Sequence, residues 1–196
     1  MTSNALSRLE AVSHTAVTID DEFWSPRIKT VRETTIGFVY EQLVQSGRIE
    51  NFRVAAGDDG EHQGRFYNDS DVYKWLEGAC YALAKTDAPD LKARIDEVVS
   101  VICSAQEPDG YLNSYFQVVK PEKKWTNLHF LHELYCAGHL IEAAIAHHEV
   151  TGEKKLLTVA IDFADHLDDR FGPDGQDGVP GHQEIELALV KLYRVT

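Results

Sequence analysis

Apolar residues recur three and four positions apart along most of this chain, the spacing of one helix face. Val72, Trp75, Leu76, Ala79 and Leu83 form one such stripe, with Asp69 and Ser70 ahead of it as capping residues. Pro89 opens a second helix at a position where a missing N–H costs nothing, and Leu91, Ile95, Val98, Val99 and Ile102 form its stripe. A third stripe runs through Leu131, Leu134, Tyr135, Gly138, Ile141 and Ile145. A fourth runs through Leu156, Ala160, Phe163, Ala164, Leu167 and Phe171, and Gly152 stands between these two as a C-terminal stop. Residues 27–44 predict a further helix, and residues 184–196 begin a sixth. No stretch sustains the alternation of a strand, so the pattern predicts an all-α protein.

The pattern also repeats. Leu91 stands to Pro108-Asp109-Gly110 as Leu156 stands to Pro173-Asp174-Gly175, at a constant offset of 65 residues. Each unit is a helix, a tight turn, a second helix and a Pro-Asp-Gly loop. Helix hairpins of this kind bury their faces only against neighbours. The long, irregular loops between units favour closure into a toroid over an open solenoid of short fixed period. Loops of that length gathered at one end would form a concave site. The expected organisation is an N-terminal extension over 1–26, then the first portion of the toroid over 27–196. Arg194-Val195-Thr196 echoes Glu149-Val150-Thr151, as if a third unit were starting. The pattern therefore reads as a truncated toroid.

Composition narrows the partners. The 196 residues carry a formal net charge of −13, which disfavours nucleic acid and anionic membrane surfaces, since both need clustered Lys and Arg. No apolar run is long enough to span a bilayer. The first fourteen residues lack the basic start and apolar stretch of a signal peptide. Cys80, Cys103 and Cys136 are far apart and odd in number, and all lie in apolar helical patterns. Reduced, buried thiols in a cytoplasmic protein are the expectation.

The segment with His129, His132, Glu133, Cys136 and His139 is the richest in chemistry. His132-Glu133-Leu134-Tyr135-Cys136 approaches the H-E-x-x-H zinc motif but has cysteine where the second imidazole must stand, so a zinc protease is not expected. Cys136 then reads as a small hydrophobe and His139 as a core or rim histidine. His132, near the start of its helix, and His182, between a Gly/Pro/Asp loop and a helix start, each read equally as a helix-end histidine or a ligand contact. Among carboxylates, Asp69, Asp71, Asp109, Asp174 and Asp177 fall in loops or caps, and Glu133, Glu184 and Glu186 on helices. No spacing singles out the pair a glycosidase requires. Residues 57–61 resemble part of a calcium loop but lack its ligand order, so a solvated acidic loop is expected there. Phe66, Tyr67, Tyr111, Tyr115, Phe116 and Trp125 crowd the loops, where aromatic faces suit sugars or plug the core.

Several blocks occur in a fixed order: Glu22-Phe23-Trp24-Ser25-Pro26-Arg27, Asn68-Asp69-Ser70-Asp71-Val72-Tyr73-Lys74-Trp75-Leu76-Glu77, and Gln106-Glu107-Pro108-Asp109-Gly110-Tyr111-Leu112. His132-Glu133-Leu134-Tyr135, Gly138-His139-Leu140-Ile141-Glu142-Ala143-Ala144 and Gly181-His182-Gln183-Glu184-Ile185-Glu186 follow. Along essentially its whole length the chain resembles the β-L-arabinofuranosidases of glycoside hydrolase family 127. The resemblance implies an (α/α)6 barrel followed by β-sandwich domains, and retaining hydrolysis of terminal arabinofuranose. It also implies a cysteine thiolate nucleophile held on zinc by glutamate and cysteine ligands, with a separate glutamate as acid/base. Those motifs lie beyond this chain in the family, so no catalytic residue and no zinc ligand is expected within it; none of Cys80, Cys103 or Cys136 matches them. The residues that carry over are His132 and His182, which in the family touch the sugar. The resemblance leaves room for a homodimer formed through domains outside the chain. The competing readings are another toroid carbohydrate enzyme, of the unsaturated glucuronyl hydrolase or epimerase type, a non-catalytic helical-repeat binding module, and a non-functional remnant.

Overall fold

The computed structural model describes residues 12–196. The front of the 1–26 extension, and most of the segment read for a signal peptide, lie outside the described residues. Among those described there is helix and loop and no strand.

The chain begins with a rod made of α1 (Trp24–Thr30), a π-helical segment (Val31–Thr35) and α2 (Ile36–Gln45). The short α3 (Glu50–Ala55) follows, then α4 (Asp69–Leu83), α5 (Pro89–Ala105), the short α6 (Ser114–Val118), α7 (Glu133–Thr151), α8 (Lys155–Phe171) and α9 (Glu184–Val195). α4, α5, α7 and α8 fall on their predicted stripes, except that Leu131 lies ahead of α7. Pro89 sits in the first turn of α5, and Gly152 ends α7 in the left-handed conformation at φ 74°. Its N–H closes on the His148 carbonyl at 2.8 Å, so the polypeptide can turn back at once into α8.

The helices form two rows. α2, α4, α7 and α9 pack side by side in one row, and α3, α5 and α8 pack in the second. The hairpins α4–α5 and α7–α8 cross between the rows, which is the arrangement the 65-residue repeat predicts. α7 is central and is buried almost all round from Glu133 to His147, because α4, α9 and α8 all press on it. The core runs continuously from Phe52, Tyr73 and Leu76 through Ile95 and Ile102 to Leu140, Leu156 and Phe163. The tight turns lie at one end of the first row. The long loops, 56–68, 106–132 and 172–183, lie at the other, where α4, α7 and α9 begin.

Both outer members of the first row leave an apolar face open. Trp24, Ile28, Val31 and Phe38 are exposed along the α1–α2 rod, and Leu187, Val190 and Tyr193 along α9. The segment before α1 is tied to the tight-turn end, where Lys85 Nζ donates to the carbonyls of Thr15 and Val17 at 2.8 Å each.

Asp69 is not the cap expected of it. Asn68 precedes α4 and no side chain caps that end. The Asp69 carboxylate is 3% exposed and accepts instead from the Ser114 N–H at 2.7 Å and the Ser114 hydroxyl at 2.5 Å. It thereby satisfies an unpaired donor in the first turn of α6, a distant helix end that local sequence cannot reveal. Burial raises this carboxyl to about 6 against the pull of both Ser114 hydrogen bonds.

Candidate functional site at the loop end of the first helix row

The two histidines singled out from the sequence come together at the start of α7 and α9. His132 is the residue before α7 and adopts the left-handed conformation at φ 59°, ψ 21°. Its Nδ1 donates to the Phe130 carbonyl at 2.5 Å. In the neutral ring that leaves Nε2 as an acceptor. His182 takes the opposite arrangement. The Glu184 N–H, an unpaired donor of α9, donates to His182 Nδ1 at 3.1 Å, so the neutral ring carries its proton on Nε2. The pair thus offers one acceptor and one donor.

Tyr135, one turn into α7, joins them. Its ring centroid lies 5.6 Å from that of His132, 4.8 Å from His182 and 4.5 Å from His139, edge to face in each case. Its hydroxyl accepts from Lys74 Nζ at 2.5 Å, and Lys74 also donates to the Ser70 hydroxyl at 3.2 Å. Phe66 and Tyr67, from the loop before α4, flank His132 with centroids 6.0 Å away. The cluster therefore draws on α4, α7, α9 and two loops.

Gly138 lets α9 come close enough for this. A Cβ there would stand 2.7 Å from Glu184 Cγ and 3.0 Å from the Ile185 nitrogen, so α9 backbone occupies the space a side chain would need. Next to it His139 Nδ1 lies 3.4 Å from Glu184 Oε1. Burial, with smaller contributions from Lys74 and His182, lowers the His139 imidazole to about 4. The His139 ring is thus neutral in this contact. Glu184 itself is raised by burial and by the neighbouring Glu142.

The remaining expected carboxylates are mostly structural. Glu133 is 1% exposed and accepts from the Tyr111 hydroxyl at 2.6 Å and the Trp125 N–H at 2.9 Å. Trp125 Nε1 donates to His166 Nε2 at 3.2 Å, and His166 Nδ1 donates to the Asp109 carbonyl at 2.9 Å. This chain of bonds pins the 106–132 loop to α7 and α8. Asp109 is the turn residue expected, its carboxylate accepting from the Tyr111 N–H at 3.1 Å. Asp71 pairs with Arg48 at 2.9 Å, beside a groove of about 510 Å³ between α2 and α4. Glu186 is exposed on α9, and Asp174 and Asp177 are exposed in the last loop. The loop aromatics divide: Tyr111, Phe116 and Trp125 plug the core, while Phe66, Tyr67 and Tyr115 stay half-buried at the mouth.

Lys74 and Tyr135 are the members of this cluster that sequence reasoning passed over. Lys74 lies off the apolar stripe of α4 and looks like a solvated lysine, while Tyr135 was absorbed into the stripe of α7. Only the side-by-side packing of these two helices shows that their polar ends meet.

A zinc–thiolate centre does not fit the residues present. Cys80, Cys103 and Cys136 are unpaired and sit in separate helices. Among the described residues the one group spaced to hold a metal ion contains no cysteine. Burial also keeps the thiols protonated, pushing Cys80 up to about 12 and Cys136 well above its usual value.

Two rows of crossing helix hairpins with a polar, aromatic mouth at the loop end define part of a helical toroid. A family model described as the beta-L-arabinofuranosidase, GH127 catalytic domain, matches residues 16–196, and the chain belongs to this family. It is 41% identical to a non-reducing end β-L-arabinofuranosidase of Bifidobacterium longum subsp. longum over 92% of its own length. It superposes on a family 127 β-L-arabinofuranosidase from Geobacillus stearothermophilus T6 with a TM-score of 0.88 and 46% identity, covering 91% of this chain and 30% of that one. A second family 127 β-arabinofuranosidase structure gives a TM-score of 0.86 at 38% identity, covering 93% of this chain and 31% of that one. The chain spans about 31% of the length of the Bifidobacterium relative. Family membership sets the chain apart from the glucuronyl hydrolase and epimerase families. No described helix is long and apolar enough to cross a membrane.

Proposed function

We propose that this chain is the N-terminal part of the catalytic toroid of a retaining hydrolase of terminal β-L-arabinofuranosides, and that His132 and His182 hold the sugar. The observation that carries the reading is the pair of oppositely protonated imidazoles about Tyr135 at the toroid mouth, within a chain of this family. A furanose hydroxyl both donates and accepts, so one acceptor and one donor held by fixed helix ends can orient it. Phe66 and Tyr67 add apolar faces beside His132 for the ring carbons. Lys74 donates to the Tyr135 hydroxyl, which leaves the phenol proton available to another acceptor.

The nucleophile, the acid/base and any zinc ligands belong, on this reading, to parts of the toroid outside these residues. No chemical step is assigned to the thiols or carboxylates here, and the hydrogen bonds of Asp69, Asp109 and Glu133 hold loops. The three unpaired thiols support a reducing compartment such as the cytoplasm.

The test is hydrolysis of an aryl β-L-arabinofuranoside by an intact protein carrying this chain, with proton NMR of the first-formed sugar. Release of β-arabinofuranose, and its loss on His132→Ala or His182→Ala, is the expected result. Turnover unchanged by alanine at either position would remove the sugar-binding role, and no turnover at all would remove the substrate. The 196-residue chain by itself is expected to leave the substrate intact.

A further inference from the structure

A second polar cluster lies at the opposite end of α7. His147, in its last turn but one, is completely buried, yet neither ring nitrogen has a hydrogen-bond partner. An imidazole buried without partners forfeits its bonds to water and gains nothing in return. A native fold retains such a group where something else satisfies it. The neighbours suggest what that is. One His147 nitrogen, an Asp96 oxygen and a Glu153 oxygen all lie within 4.8 Å of one another. Asp96 comes from α5 and Glu153 from the turn between α7 and α8, and both carboxylates are exposed.

The turn is built to keep Glu153 there. The Thr151 hydroxyl donates to the His147 carbonyl at 2.7 Å and accepts from the Glu153 N–H at 3.1 Å, while His148 Nδ1 donates to the Glu153 carbonyl at 3.0 Å. Both carboxylates reach one cation already. Lys92 Nζ lies 2.7 Å from Asp96 Oδ2 and 3.5 Å from Glu153 Oε1. That ammonium is engaged by the acidic pair, and no hydrogen bond joins it to either nitrogen of the imidazole. Its side chain is half exposed and free to swing out.

We propose that Asp96, His147 and Glu153 form a site for a divalent transition-metal ion of the zinc class at the tight-turn end of the bundle, with Lys92 as the competing cation. One imidazole nitrogen and two carboxylates suit zinc, which accepts mixed nitrogen and oxygen ligands at about 2.0–2.2 Å. Drawing the three ligand atoms onto one ion needs only small side-chain shifts. Calcium would want six to eight oxygens, which this corner does not supply. A metal here clamps α5 to the α7–α8 turn and satisfies one nitrogen of His147. It stands toward the other end of a 19-residue helix from His132, about 22 Å away at 1.5 Å per residue, so its role is structural.

The test is zinc titration of the chelator-treated full chain by calorimetry, comparing wild type with Glu153→Gln, Asp96→Asn, His147→Gln and Lys92→Met. The wild type is expected to bind one zinc more per chain than His147→Gln. Glu153→Gln weakens that site about tenfold or more, at least what losing an outer partner of a ligand costs. Lys92→Met tightens it several-fold by removing the competitor. Glu153 and Asp96 are exposed, so their variants report on binding even if the buried His147 variant does not fold. Equal zinc stoichiometry and affinity in wild type, Glu153→Gln, Asp96→Asn and Lys92→Met would overturn the proposal, as would failure of all of them to take up zinc. Calcium binding as tight as zinc would remove the imidazole's part in it.

Discussion

The two ends of α7 carry the same kinds of side chain and treat them in opposite ways. At the loop end His132, Tyr135, His139 and Glu133 meet long loops and two neighbouring helices, and nearly every polar atom finds a protein partner. What is left over is the Nε2 of His132, just ahead of α7, and the Nε2 of His182, just ahead of α9. At the tight-turn end there is little loop to supply partners, and His147 is buried with both nitrogens unpaired. The contrast shows how a hairpin fold divides its labour. Long loops supply partners that hold a side chain in one orientation, and short turns leave that task to an ion or to chance charge pairing.

The largest effect expected from breaking this contrast is on catalysis at the loop end. In the intact enzyme His132→Ala or His182→Ala should lower kcat/KM by about a hundredfold, roughly 2.7 kcal/mol of transition-state stabilisation. Steady-state kinetics on an aryl β-L-arabinofuranoside measures it, and neither change should alter the zinc stoichiometry of the tight-turn end. Next comes Gly138→Ala. The added Cβ must push α9 away, at about 2 kcal/mol of overpacking, seen as a fall in Tm of roughly 4–8 °C. Because α9 carries His182 away with it, sugar affinity should fall in the same variant.

A third experiment uses pH to sharpen the comparison. Burial lifts Glu133 from its ordinary 4.5 to about 7, although Tyr111, Trp125 and Lys124 all pull it down. The folded chain therefore holds this proton after the unfolded chain has released it. The stabilisation is complete below about pH 4.5 and is lost as the pH rises through 7. Wild type should lose about 2 kcal/mol relative to Glu133→Gln between pH 5 and pH 8, read from paired denaturation midpoints. Coincident slopes for the two proteins would show that Glu133 does not titrate in this range. The smallest effect belongs to the other end: Lys92→Met breaks exposed ion pairs and should change stability by less than about 1 kcal/mol.

Much of this was legible in the amino-acid order. The stripes placed α4, α5, α7 and α8, the last stretch began a sixth helix, and the 65-residue offset between Leu91 and Leu156 predicted the hairpins. Those features are local, set by helix periodicity and by Pro89 and Gly152 as punctuation. Asp69 was misread because its partner, Ser114, lies on another helix, while its position before a stripe is that of any cap. Lys74 and Tyr135 were passed over for a similar reason, since each is unremarkable on its own helix and acquires a role only where α4 meets α7. His132 and His182 were visible as motif positions, but their opposite tautomers depend on one backbone carbonyl and one helix-end N–H that only the folded chain supplies.

The left-handed backbone at His132 has a consequence for how this site can change. A side chain with a Cβ pays about 1–2 kcal/mol to sit there, and glycine or asparagine would sit there more comfortably. Mutational drift at this position is therefore screened twice, once by the turn and once by whatever the ring touches. Asparagine passes the first screen and fails the second. A library at position 132 would accordingly separate into folded, silent variants led by Asn and Gly, and poorly folding ones led by Val and Ile, with activity confined to a far narrower set than stability allows.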